Sequence, residues 1–148
     1  MNSNLTKLRV IFYGLAVGQI ILAVLAISFR ITGENAFDDP GSRTMFLGIF
    51  YAMAAALAGG SILLPRRRIE SIKQEPDGFI RSNAYMAACI VRFALREGAS
   101  LAGAAGYFFT GREEFILLFF VCFLIFLVSY PSNSLVEKEL GPGFGGIE

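Results

Sequence analysis

Four apolar runs, separated by short polar segments, constrain this chain more than any other feature. The first, Val10 to Phe29 (VIFYGLAVGQIILAVLAISF), carries no charge over 20 residues. The second, Met45 to Leu64, is equally uncharged and is followed by Pro65. The third, Asn83 to Phe109, contains Arg92, Arg96 and Glu97, and the fourth is Phe115 to Tyr130, followed by Pro131. A helix rises about 1.5 Å per residue, so roughly 20 residues cross a hydrocarbon core of about 30 Å. Runs one, two and four are apolar around their whole circumference, whereas helices of a soluble bundle keep a polar face. The expected fold is all-α integral membrane: four transmembrane helices over about 10–30, 45–64, 84–110 and 114–130. They form an antiparallel up-down bundle in one domain, 1–148, with 131–148 a flexible C-terminal tail.

Composition supports this and removes other classes. Charged residues are 17% of the 148 and hydrophobic ones 55%, against about 25% charge in a typical soluble domain. The chain has no His, the commonest metal ligand and a frequent general base. Its two Cys are too few for a four-thiolate zinc site or a disulfide scaffold. Net charge +1 gives no reason to expect nucleic acid. No nucleophile-elbow, HExxH, phosphate-loop or dinucleotide motif is present. No metal, no cofactor and no catalytic residue is expected.

Basic residues orient the helices. With the N-terminus inside, inner segments hold Lys7, Arg9, Arg66, Arg67, Arg68, Lys73, Arg81 and Lys138, against Arg30, Arg43 and Arg112 outside. Positive loops resist translocation, which predicts both termini in the cytoplasm of a multi-pass bacterial inner-membrane protein. Run one exceeds a signal-peptide core and lacks a following small-x-small site, so it reads as a retained anchor.

Thr32 to Arg43 (TGENAFDDPGSR) is a solvated outer connection; Asp38 and Asp39 lack the further oxygens a cation site needs. The inner loop, Pro65 to Asn83, has breakers at Pro76, Asp77 and Gly78, and its Arg66, Arg67 and Arg68 meet lipid headgroups, at about 1 kcal/mol per basic residue. Thr110-Gly111-Arg112-Glu113 combines a Gly stop with a Thr-x-x-Glu start, which predicts a tight helical hairpin. The terminal GPGFGGIE has too much Gly and Pro to hold a fixed fold alone.

Small residues four apart mark helix faces able to approach closely in lipid. Run one has Gly14 and Gly18; run two has Gly48, Ala52, Ala56 and Gly60; run three has Gly98, Ala102 and Gly106, with Ala99 and Gly103 adjoining. Run four has Phe115, Phe119, Phe120, Phe123 and Phe126 instead, and is expected to face lipid over much of its surface. Four helices offer internal partners, so these faces are expected to pack within the chain, with dimerisation the alternative.

Arg92, Arg96 and Glu97 form the candidate ligand or ion site. Arg92 and Arg96 share a helix face and Glu97 lies about 100° around it. Counting back from Thr110 places them in the inner half, Arg96 and Glu97 about 10 Å deep. They are expected to pair among themselves and set helix depth; the alternative is a polar pocket in which the arginines hold an anion and Glu97 balances charge or exchanges a proton. Tyr13 and Gln19 line such a pocket only if their helix faces it. The stretch FALREGASLAG, Phe93 to Gly103, resembles the acidic helix of rotor-ring proteolipids, which implies ion carriage on Glu97. The chain departs from that family in lacking a long Gly repeat on a companion helix, in the shallow depth of Glu97, and in Arg96 beside it. As a whole, the layout and the RFALREGASLAGAAGYFFTG hairpin resemble small four-span proteins of bacterial inner membranes, which implies no activity. Cys89 and Cys122 read as small buried hydrophobes at different depths.

The expected role is a non-enzymatic structural or accessory membrane protein whose partners are the bilayer and a second copy or a larger membrane complex. A carrier using the third-helix charges and a small enzyme acting on lipid headgroups are the alternatives.

Overall fold

The computed structural model describes residues 2–29, 40–74 and 76–141. Among them every regular element is helical: α1 Asn2–Ser28, α2 Pro40–Ile72, α3 Gly78–Thr110, α4 Glu113–Leu127 and α5 Asn133–Leu140. The acidic connection through Asp38 and Asp39 and all of the GPGFGGIE segment after Gly141 lie outside the described residues.

Two of the helices, α1 over Asn4–Ser28 and α2 over Thr44–Ile72, are long and apolar enough to cross a membrane. Only 28% and 11% of their most apolar windows are buried. In contrast, α4 has 15 residues and α3 is interrupted by its three charges.

The helix α3 is the hub, with α1, α2 and α4 packed around it. Phe12 meets Phe93 and Gln19 meets Ser100, so α1 runs in the same direction as α3. Gly98 faces Leu57 and Gly60 faces Leu95, so α2 runs the opposite way. Gly103 against Phe119 and Gly106 against Phe115 give α4 that same opposite sense. Directions therefore alternate along the chain.

Caps explain where α3 begins and ends. The Asp77 carboxylate accepts from the Phe79 and Ile80 N–H groups at 2.8 and 3.3 Å, satisfying the first turn. Gly111, at φ +66°, donates its N–H to the Tyr107 carbonyl at 2.7 Å, the left-handed stop that glycine adopts without strain. The hairpin into α4 is as tight as expected, but its Thr-x-x-Glu cap does not form. Thr110 Oγ1 turns back to the Gly106 carbonyl at 2.6 Å, and Arg112 occupies the α4 cap position without a side-chain bond. Arg112 instead makes a two-pronged pair with Glu114, at 2.8 and 2.6 Å, which holds the exposed guanidinium above its ordinary pKa.

Three expectations are corrected. Pro65 does not close the second run: α2 continues through it to Ile72, and the inner connection shrinks to residues 73–77. An internal proline forfeits one helix bond; here Ser61, Pro65, Ile69 and Ile72 are all buried at helical spacing, and that burial offsets the loss. Residues 133–140 are not a flexible tail. Ser132 accepts from the Leu135 N–H at 3.2 Å, Val136 and Leu140 are buried, and Gly141 ends the helix. Arg9 ties this element to α1 by donating to the Pro131 carbonyl and to Asn133 Oδ1 at 3.3 and 3.4 Å.

Third, α4 is not simply a lipid-facing helix. Phe115, Phe119, Cys122 and Phe126 form a buried stripe, while Leu117, Phe120, Val121 and Leu124 are exposed. A Cβ on Gly103 would lie 2.6 Å from the Phe119 backbone nitrogen, and Gly106 sits directly against the Phe115 ring. Gly103 therefore lets the α3 and α4 backbones touch, and Gly106 is the notch that receives the Phe115 ring.

Large side chains build the core toward the α5 end. The Phe12 ring stacks on Phe126 at 4.6 Å and meets Phe93 edge-on at 5.5 Å, joining α1, α3 and α4. Ile69, Ile72, Tyr85, Val136 and Leu140 extend the same cluster over α2 and α5. Cys89 and Cys122 are free and buried.

Candidate functional site

A cavity of about 570 Å³ opens at the α5 end, between α2, α3, the end of α4 and α5. The sequence places its chemistry by simple spacing. Ser61, Arg66 and Ile69 come from α2 and Lys73 from the turn after it, Arg92 and Arg96 from neighbouring turns of α3, and Leu135, Lys138 and Glu139 from α5. Five cationic groups thus line the cavity against two carboxylates, Glu70 and Glu139.

The two α3 arginines are held differently. Arg92 is 9% exposed and its Nη2 donates to Glu139 Oε1 at 2.9 Å. Tyr85 donates its phenolic O–H to the other carboxylate oxygen at 2.7 Å. A buried charge is costly unless paired and hydrogen-bonded; Glu139 supplies Arg92 with that partner and Tyr85 completes it.

Arg96, by contrast, meets neutral oxygens. Its Nε donates to Ser61 Oγ at 3.3 Å and its Nη1 to the Ile125 carbonyl at 3.2 Å and to Ser129 Oγ. Ser61 and Ser129 are themselves oriented by the Ala58 and Ile125 carbonyls, at 2.6 and 3.1 Å. This framework points the guanidinium without a direct ion pair, the Glu139 carboxylate being engaged by Arg92, and no acceptor among the described residues meets Nη2.

The expected internal pairing of Arg92 and Arg96 with Glu97 does not occur. Glu97 does not line the cavity, and its carboxylate has no partner among the described residues. The 100° offset between neighbouring helix positions turns it away from both arginines. Gln19 is also elsewhere: fully buried, it meets Ser100 Oγ, which lies 2.8 Å from the Glu97 carbonyl. Tyr13 is exposed beside Tyr130. Of the basic triplet, Arg66 borders the cavity and forms an exposed pair with Glu70 at 3.5 Å, whereas Arg67 and Arg68 are exposed outside the lining.

Glu139, Tyr85, Ser61 and Ser129 were not anticipated. One signal did exist for Glu139: Ser132 before NSLVEKELG is a cap, a short amphipathic turn and a glycine stop. The serines carried none, because a lone Ser in an apolar run is uninformative until a donor is placed beside it.

The small-residue faces divide sharply. On α3, Gly98 lies against Leu57, Ala102 is buried, and Gly106 receives Phe115. Gly60 of α2 approaches Leu95. A Cβ on Gly14, Gly18 or Gly48 would meet nothing within 4 Å, and Ala52 and Ala56 are exposed. The expected internal packing of these faces is thus realised by α3 and Gly60, and not by the rest.

No family model, curated protein or solved structure matches the chain.

Proposed function

We propose that this chain is a four-span protein of a bacterial inner membrane with a non-enzymatic, accessory role, assembling with further copies of itself through α1 and α2. Exposed apolar surface supports the membrane reading. Large hydrophobics stand outward on α1 from Val10 to Phe29 and on α2 from Met45 to Leu64, in each case a band of about 30 Å at 1.5 Å per residue. Such patches are far larger than a soluble monomer exposes. The band on α1 starts just after Arg9 and that on α2 stops just before Arg66, which favours the α5 end as the cytoplasmic one. Helix α3, with its charges, is shielded by three neighbours, and α4 reaches the same level because Val128 and Tyr130 extend its apolar run.

The unoccupied small-residue seams on α1 and α2 carry the assembly reading. In lipid, close backbone approach is what joins helices, and Gly14, Gly18, Gly48, Ala52 and Ala56 offer it with no partner among the described residues. A Gly48→Leu, Ala52→Leu double variant tests this by the mass of the detergent-solubilised particle. The wild type is expected to form a defined oligomer and the variant a folded monomer. A monomeric wild type overturns the reading.

A further inference from the structure

We infer that the cavity at the α5 end binds a phosphate-bearing anion, taken either from an acidic lipid headgroup or from a soluble phosphate. After the Arg92–Glu139 and Arg66–Glu70 pairs are formed, Arg96, Lys73 and Lys138 remain around the cavity without a direct ion pair among the described residues. Arg96 stands on α3, Lys138 on α5 and Lys73 in the turn after α2. With five cations against two carboxylates in its wall, the cavity favours an anion, and a phosphate oxyanion, with several equivalent oxygens, can take the Arg96 guanidinium from more than one side.

Arg96 is the fixed element. Three neutral oxygens position its guanidinium before any ligand arrives, so little side-chain order is lost on binding. Lys73 and Lys138, both exposed, add positive potential along the cavity wall. The volume, about 570 Å³, falls within the range of small-molecule sites and exceeds what a bare phosphate needs.

The wall explains where the excess volume goes. Ile62 and Val128 border the cavity at 57% and 85% exposure, and both continue the apolar bands of α2 and α4. The site therefore opens sideways as well as toward the aqueous end. An acidic phospholipid fits that shape, with its phosphate at Arg96 and its acyl chains along Ile62 and Val128.

The full chain, in phosphatidylcholine nanodiscs with and without phosphatidylglycerol at about 0.15 M salt, provides the test, with lipid retained after purification read by native mass spectrometry. Inorganic phosphate added to lipid-free micelles forms the second arm. Wild type is expected to retain phosphatidylglycerol over phosphatidylcholine, and Arg96→Gln to lose at least about tenfold of that selectivity. The exposed Lys73→Gln, Lys138→Gln pair, which leaves the core intact, is expected to weaken retention severalfold. Binding of inorganic phosphate without lipid selectivity assigns the site to a soluble ligand. Equal retention of both lipids with no phosphate binding overturns the inference. So does an equal loss in Arg67→Gln, Arg68→Gln, because those side chains lie outside the cavity and report only general headgroup attraction. Oligomer mass, measured on the same samples, separates this result from the assembly reading.

Discussion

At the α5 end, rings from α1, α3 and α4 meet as Phe12, Phe93 and Phe126, and two arginines find oxygens from α2, α4 and α5. At the opposite end, α3 and α4 approach until Gly103 leaves no space for a Cβ. The difference is one of side-chain size. Bulky rings and long guanidinium stems hold helices apart and leave a polar cavity between α2 and α4. Glycine lets the α3 and α4 backbones touch and leaves no such space between them. Where this end does open, in a cleft of about 430 Å³ between α1 and α3, residues such as Leu22, Phe29, Leu101 and Phe108 line it and offer nothing to an ion.

The strongest way to break this comparison is to empty the aromatic junction. Phe126→Ala removes a fully buried ring shared by three helices, and is expected to cost about 4 kcal/mol, seen as a lowered unfolding midpoint in detergent. Gly103→Leu strikes the other end by forcing a side chain into the Phe119 backbone. Overpacking against backbone that cannot yield is expected to cost about 3 kcal/mol. A midpoint unchanged by Gly103→Leu would mean that the two ends do not differ as described.

Glu139→Ala should come next. It strands Arg92 beside the cavity and frees α5; with water close by, a loss of about 2 kcal/mol is expected. Accelerated proteolysis after Ser132 would report the release of α5. Replacing Arg92 as well, by Met, is expected to recover part of the loss, because the unpaired charge then disappears. The smallest effect belongs to Arg112→Ala. Its pair with Glu114 is solvent-exposed, and no measurable change in midpoint is expected.

Much of the scaffold could be read from residues alone, and the reasons differ by element. Gly111 announced the hairpin because only a left-handed stop fits there. Asp77 announced the start of α3 by the breakers around it, although it was read as loop. Pro65 misled, since a proline signals a lost backbone bond but not the burial that compensates for it. Helix α5 was missed because eight polar-rich residues after a span resemble a tail until Val136 and Leu140 have something to cover. At the site, Arg92 and Arg96 stood out as charges in an apolar run, while the identity of their partners did not.

Apolar runs between breakers placed α1 to α4 in their order along the chain. Which faces those helices turn to one another they left undecided. Helices α1 and α2 are apolar all round and have almost no amphipathic preference, so nothing local specifies their rotation about their own axes. Rotation decides that Arg92 meets Glu139 rather than Glu97, that Arg96 is left with neutral oxygens, and that Gly14 and Gly48 look outward. Contact between helices sets it, through fits such as Phe115 in the Gly106 notch, which become complementary only when both surfaces are present.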